Sequence, residues 1–118
     1  MKPELKDLAE CSAEFLGLKK HLNVKNAWKF QVLQENLTLY LFDFFDDSMP
    51  VAPILMHLGK REMEKRFGDV WECSSWNTTK GRIYEYEISN DGKEYKGRDL
   101  NEFIAFWSAV HEAMKGGE

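Results

Sequence analysis

Alternating apolar and polar positions predict a β-hairpin over residues 28–45. In its first arm Trp28, Phe30 and Val32 alternate with more polar positions, which is typical of a strand with one face in water. The Glu-Asn pair at 35–36 is expected to close the turn, because asparagine tolerates the positive φ of hairpin turns. The second arm is apolar on both faces, which predicts a strand inside a sheet, although a helix stays open for this run.

Helical spacing of apolar residues predicts a helix near each end of the chain. Residues 3–16 carry an apolar stripe, and the helix is expected either to end at Gly17 or to continue to Leu22. Asp99 and Glu102 form a capping pair ahead of a second amphipathic run, which continues almost to the C-terminus. Phe106 lies off the centre of this second stripe, so we expect it to be partly exposed.

The middle of the chain predicts one more helix and further strands. Residues 60–67 have the pattern of a helix that Gly68 ends, whereas the apolar run at 54–58 fits a helix or a strand. The remaining predicted elements are a loop at 46–53, strands at 70–77 and 82–88, an Asn-Asp-Gly turn at 90–92 and a short return strand at 93–96.

The order of these elements is α-β-β-α-β-β-(β)-α, which predicts an α+β fold. We expect one domain over residues 1–118, with an antiparallel sheet of four to five strands and the N- and C-terminal helices packed on one face. The length of 118 residues suits a single domain, and a hydrophobic fraction of 43% is typical of a folded chain.

Aromatic residues make up 14% of the chain. Each buries a large area, so these residues belong in a core, an interface or a pocket. If the helices cover one sheet face, the other face also needs a covering, because monomers rarely expose a large apolar patch. The candidates for an interface or a pocket are Trp28, Phe30, Tyr40, Phe42, Phe44, Trp71, Trp76, Tyr84 and Tyr86.

The expected function depends on what covers this second sheet face, and there are three possibilities. A second protein chain needs no special chemistry and matches the aromatic residues that dominate interfaces. We therefore expect a small acidic non-enzymatic interaction protein, a homodimer that also binds a protein partner of the inhibitor, chaperone or regulatory type through an aromatic-rich sheet face. The alternative is a protein with an aromatic-lined pocket for a small apolar ligand, and the second alternative is a small enzyme that uses carboxylates.

The formal net charge of −4 disfavours nucleic acid as a partner, because binding to a phosphate backbone needs a basic surface. Short basic pairs occur at residues 19–20, 60–61 and 65–66. Glutamates interleave with the last two pairs, which is typical of a solvated helix face. We expect no binding to nucleic acid.

Acidic residues follow the apolar second arm of the hairpin. Asp43, Asp46 and Asp47 are interpreted as charges that protect an aggregation-prone strand, because they lack the ligand spacing and glycine of a calcium loop. Glu85 and Glu87 point off one strand face and are interpreted as a solvated face. The three histidines have no metal-ligand spacing, and no known catalytic motif is present. The sequence therefore predicts no catalytic residue, metal or cofactor.

The two cysteines, Cys11 and Cys73, belong to no disulfide or metal motif. We expect Cys73 to be buried and inert. The acidic N-terminus is unlike a signal peptide, and no apolar run approaches the ~20 residues of a membrane span. These features predict a cytoplasmic protein.

Overall fold

Residues 4–32, 35–46, 48, 50–68, 71–90 and 92–116 are described by a computed structural model. The elements in chain order are α1 (Leu5–Phe15), β1 (Lys19–Lys20), β2 (Ala27–Val32), β3 (Glu35–Tyr40), a 3₁₀ turn (Leu41–Phe44), α2 (Val51–Phe67), β4 (Trp71–Thr78), β5 (Gly81–Asn90), β6 (Lys93–Asp99) and α3 (Glu102–Gly116).

The α+β class is confirmed, but the predicted single sheet needs correction. The strands form two three-stranded antiparallel sheets, sheet A in the order β1-β2-β3 and sheet B in the order β4-β5-β6. The element order agrees with the prediction except for the added strand β1. The C-terminal helix α3 packs on β5 and β6, whereas the N-terminal helix α1 packs mainly on α3.

The second arm of the predicted hairpin is shorter than expected. Val32 pairs with Glu35, so the Glu-Asn pair predicted as a turn belongs to strand β3. Strand β3 ends at Tyr40, because the Asp43 carboxylate accepts the Tyr40 backbone N–H at 2.7 Å and the chain tightens into the 3₁₀ turn. This turn directs Phe44 into the core, where it is fully buried.

Helix α1 ends just before Gly17, the first of the two ends that the sequence left open. Gly17 has a φ of +72°, and its N–H donates to the Glu14 carbonyl. The N–H of Leu18 donates to the Ala13 carbonyl at 2.9 Å, which completes a Schellman motif. The chain therefore turns back at Gly17 and enters strand β1.

Helix α2 resolves the ambiguous run at 54–58 as helix. It begins at Val51, inside the segment predicted as a loop, and Gly68 with a φ of +85° follows its last residue. A Cβ on Gly59 would lie 2.7 Å from the Trp107 ring and 2.9 Å from the Phe106 ring, both on α3. The missing side chain at Gly59 thus lets α2 pass close to α3.

The N-terminal cap of helix α3 is not Asp99, the first residue of the predicted capping pair, but a residue two positions later. The Asn101 side-chain oxygen accepts the N–H groups of Phe103 at 2.8 Å and Ile104 at 3.1 Å, so Asn101 is the N-cap. Phe106, which was expected to be partly exposed, has no exposed surface. It is buried because α3 has sheet B on one side and the helices α1 and α2 on the other.

A chain of neighbouring aromatic rings links the two sheets through α3. Consecutive ring centroids lie 4.9–6.5 Å apart, the separation at which aromatic pairs attract each other. From sheet A to sheet B the members are Trp28, Phe44, Trp107, Phe106, Tyr86 and Trp71.

Helix α3 lies very close to sheet B at Gly97 of β6. A Cβ on Gly97 would lie 2.1 Å from the Ala105 carbonyl oxygen and 2.4 Å from the Ala109 backbone nitrogen. Both atoms belong to the helix backbone and cannot rotate away. Gly97, with Ala105 and Ala109, therefore fixes where α3 lies on the sheet.

We predict that Gly97→Ala destabilises the fold by about 3 kcal/mol or more, because the methyl group has to push α3 off the sheet. Gly17→Ala is the control: its Cβ meets no atom within 4 Å, so only the strain of a positive φ is added, about 1 kcal/mol. Urea unfolding of both variants measures the two costs. Equal costs would contradict the close packing at Gly97.

Candidate interaction surfaces

The structure distributes the nine candidate aromatics over the core and several surfaces instead of one sheet face. Trp28, Phe30, Phe44 and Tyr86 are buried, and Trp71 and Tyr84 are half-buried. The exposed members are Tyr40, Phe42 and Trp76.

Tyr40 and Phe42 form an exposed pair at the end of sheet A, which we name the aromatic ridge. Phe42 is 68% exposed and Tyr40 is 51% exposed. Tyr40 is the last residue of β3 and Phe42 lies in the 3₁₀ turn, whose conformation Asp43 holds. The ridge is thus a fixed apolar feature of the surface.

Trp76 lies on the other sheet, on the face of sheet B that carries its charged residues. The Arg98 guanidinium stacks 5.1 Å from the centre of the Trp76 ring. Arg98 also pairs with Glu85, and Lys96 pairs with Glu87 at 3.8 Å. Glu85 and Glu87 are half-buried beneath these partners, whereas the sequence predicted a solvated face.

Strand β4 is one edge of sheet B and pairs only with β5 among the described strands. A two-residue turn joins the strands, so its closing pair, Thr78 and Gly81, is hydrogen-bonded. Hydrogen-bonded pairs alternate along an antiparallel ladder. The backbone groups of Cys73, Ser75 and Asn77 therefore point away from β5, and we name this row of backbone groups the β4 edge.

The β4 edge differs from the other sheet edges in charge and length. Strand β4 has one charged residue, Glu72, among its eight residues, whereas β6 has five among seven. Charged residues on an edge protect it from pairing. Strand β1 has only two residues, and on β3 the Asp43 carboxylate already occupies the outward N–H of Tyr40. The β4 edge is therefore the longest unprotected edge among the described strands.

A cleft of about 400 Å³ lies between helix α2, strand β2 and the turn after α1. We name it the α2 cleft. Leucine and phenylalanine side chains line it, and basic side chains stand beside them on α2. Its lining residues are Leu16, Leu18, Phe30, Gln31, Leu58, Arg61, Glu62 and Lys65.

The sequence interpretation missed both the β4 edge and the α2 cleft. The basic pairs of α2 were assigned to a solvated face, although Leu58, Arg61 and Lys65 recur at helical spacing and share one side of the helix. That spacing was the available signal for the cleft. The β4 edge had no comparable signal, because it depends on strand order.

A partly buried polar contact lies near helix α2. The Tyr86 hydroxyl donates to the Glu102 carboxylate at 2.8 Å, and the Lys60 ammonium lies 4.9 Å from the Trp71 ring centre. Burial, with the neighbouring Cys73 thiol and Glu102 carboxylate, raises the pKa of Tyr86 far above its ordinary value. Tyr86 is therefore a neutral hydrogen-bond donor that supports the start of α3.

The two cysteines differ in exposure, and both are free thiols. Burial, with a smaller effect of the Glu14 carboxylate, raises the pKa of Cys11 to about 11 and keeps it protonated at neutral pH. Cys73 was expected to be buried, but it is exposed. It lies on β4, while α3 packs on β5 and β6.

The carboxylates considered for catalysis make local contacts. Asp43 binds the backbone of Tyr40, and Asp46 accepts hydrogen bonds from Ser48, which lower its pKa. Asp47 lies outside the described residues. Within the described part of the chain, no group of three or more His, Cys, Asp or Glu residues is arranged to hold a metal ion.

Comparison with protein-family models, with curated proteins and with solved structures gives no match to this chain. Among the described helices, none combines the length and the apolar character that crossing a membrane requires.

We predict that Tyr86→Phe costs about 1 kcal/mol at neutral pH, because Glu102 loses a hydrogen-bond donor. It also changes the pH dependence of stability. A raised folded-state pKa stabilises the fold below the unfolded pKa of about 10, and this contribution is lost as the pH rises further. The parent should therefore lose stability more steeply than Tyr86→Phe above about pH 10, as urea unfolding at several pH values measures. Parallel curves would contradict the assignment.

Proposed function

We propose that this chain is a non-enzymatic interaction protein that forms a homodimer and binds a second protein. The chain would act on that second protein as an inhibitor, a chaperone or a regulatory subunit. The observation that carries the proposal is the β4 edge, an unprotected strand edge with a single charge among eight residues. Natural proteins protect such edges or pair them.

A second copy of the chain is a suitable partner for the β4 edge. When two β4 strands pair antiparallel, the outward backbone groups of residues such as Cys73 and Ser75 meet their equivalents in the second copy. Side-chain direction follows the same alternation, so this pairing places α3 of both copies on one side of a six-stranded sheet. Glu72 lies near the end of β4, and a pairing centred near Ser75 keeps the two Glu72 carboxylates apart.

The free cysteines support the expected cytoplasmic setting of this dimer. Cys11 and Cys73 form no disulfide, which is typical of proteins from a reducing compartment. The exposed thiol of Cys73 lies on the same strand as the proposed interface.

We predict that Ser75→Pro converts the homodimer into a folded monomer. Proline removes the outward N–H of Ser75 and leaves the β4–β5 ladder intact, because this N–H does not point to β5. Native mass spectrometry measures the change from twice the chain mass to the chain mass. Ser75→Ala controls for the hydrogen bonds that Arg82 donates to the Ser75 hydroxyl, and it should stay dimeric.

Proline on the two other long strand edges provides matched controls. By the same alternation the N–H groups of Thr38 on β3 and Lys96 on β6 point away from their sheets. Thr38→Pro and Lys96→Pro should therefore remain dimeric. A monomeric parent protein, or a dimer that survives Ser75→Pro, would overturn the proposed interface.

The aromatic ridge is the second candidate for the homodimer interface, because Phe42 is 68% exposed. We predict that Phe42→Asp leaves the unfolding free energy within about 0.5 kcal/mol of the parent, as is usual for an exposed position. With the β4 edge as the interface, native mass spectrometry should show that Phe42→Asp stays dimeric. A folded monomer would instead assign the interface to the ridge.

A further inference from the structure

The α2 cleft lies beside the part of the β2 edge that strand β1 does not cover. Strand β1 pairs with Trp28 and Lys29 of β2, and among the described strands none pairs with this edge of β2 beyond Lys29. Phe30 and Gln31 follow on that free edge and line the cleft. The cleft therefore has a strand edge on one side and helix α2 on the other.

The backbone of Gln31 points into this opening. The His21 N–H donates to the Ala27 carbonyl, which shows that Ala27 directs its backbone groups to the β1 side. Backbone direction alternates along a strand, so Lys29 and Gln31 point to the same side. Gln31 has no backbone hydrogen-bond partner there among the described residues. One N–H and one carbonyl are thus available to an added strand.

The positive charges beside the cleft favour an acidic ligand. Arg61 and Lys65 line it and make no ion pair with another described residue. Glu62, the acidic lining residue, is already paired with Arg66 at 2.9 Å. In a chain with a net charge of −4, this local excess of cations is a distinct feature.

We propose that the α2 cleft binds an extended segment of another protein in which apolar and acidic residues alternate. Its apolar side chains pack on Leu16, Leu18 and Leu58, its carboxylates pair with Arg61 and Lys65, and its backbone bonds to Gln31. This inference rests on the proposed function as an interaction protein, and it specifies the segment that the partner contributes.

The test uses random peptides displayed on phage and selected on the purified native protein. The selected sequences should alternate apolar residues with aspartate or glutamate. Synthetic copies of the selected peptides are then titrated against each variant by fluorescence anisotropy. Arg61→Glu/Lys65→Glu should weaken binding about tenfold or more, and added salt should weaken binding to the native protein.

A matched control separates the cleft from net charge. Lys80→Glu/Lys93→Glu changes the net charge equally, at exposed positions of the β4–β5 turn and of strand β6 that do not line the cleft. It should bind the peptides within about twofold of the native protein. Gln31→Pro removes the N–H aimed at the cleft and should weaken binding, whereas Gln31→Ala should not.

Three results would overturn the inference: no selected peptide, selected peptides without acidic residues, or equal binding to the two charge-reversal variants. Native mass spectrometry of the same samples tests the homodimer separately. Peptide binding by a monomer would leave the cleft assignment standing and remove the dimer. A dimer without peptide binding would do the reverse.

Discussion

The position of helix α3 on sheet B depends on the contact at Gly97. The helix backbone at Ala105 and Ala109 approaches so closely that no side chain fits between them. This contact places α3 over β5 and β6, and β4 is left at the side that α3 does not cover. The exposure of Cys73 and the unprotected β4 edge follow from that placement, so a packing constraint in the core determines the surface available for association.

The row of contacting aromatic rings also connects α3 to sheet A. Trp107 on α3 contacts Phe44, and Phe44 contacts Trp28 on β2, so the small sheet is held against the helices by rings. Strand β3 therefore ends at Tyr40, and the 3₁₀ turn that follows places Phe44 in the core. Because β1 is only two residues long, part of the β2 edge remains open beside α2, and this opening forms the α2 cleft.

Local signals in the sequence predict the elements that local chemistry controls. Gly17 ends α1, Gly68 follows α2, and Gly92 has a positive φ directly before β6. The end of β3 was not predicted, because an apolar run has the same pattern in a strand and in a 3₁₀ turn. The hydrogen bond from Tyr40 to Asp43 decides between them.

Non-local features were beyond the reach of the sequence pattern. Phe106 is buried because α3 is enclosed from two sides, and one periodic stripe does not reveal a second buried face. The division into two sheets depends on strand order, as does the identity of the edge strand. Seven of the nine aromatic candidates lie elsewhere than on the aromatic ridge, since most of them build the core and sheet B.

Hydrogen exchange at the amides of β4 shows whether the β4 edge pairs with a second copy of the chain. The N–H groups of Ser74 and Trp76 point to β5 and should be protected in a monomer or a dimer. Those of Cys73, Ser75 and Asn77 point outward and are protected only when another strand pairs with the edge. We predict that both sets are protected at high protein concentration and that the outward set loses its protection on dilution. Fast exchange of the outward set at every concentration would contradict a homodimer that pairs through the β4 edge.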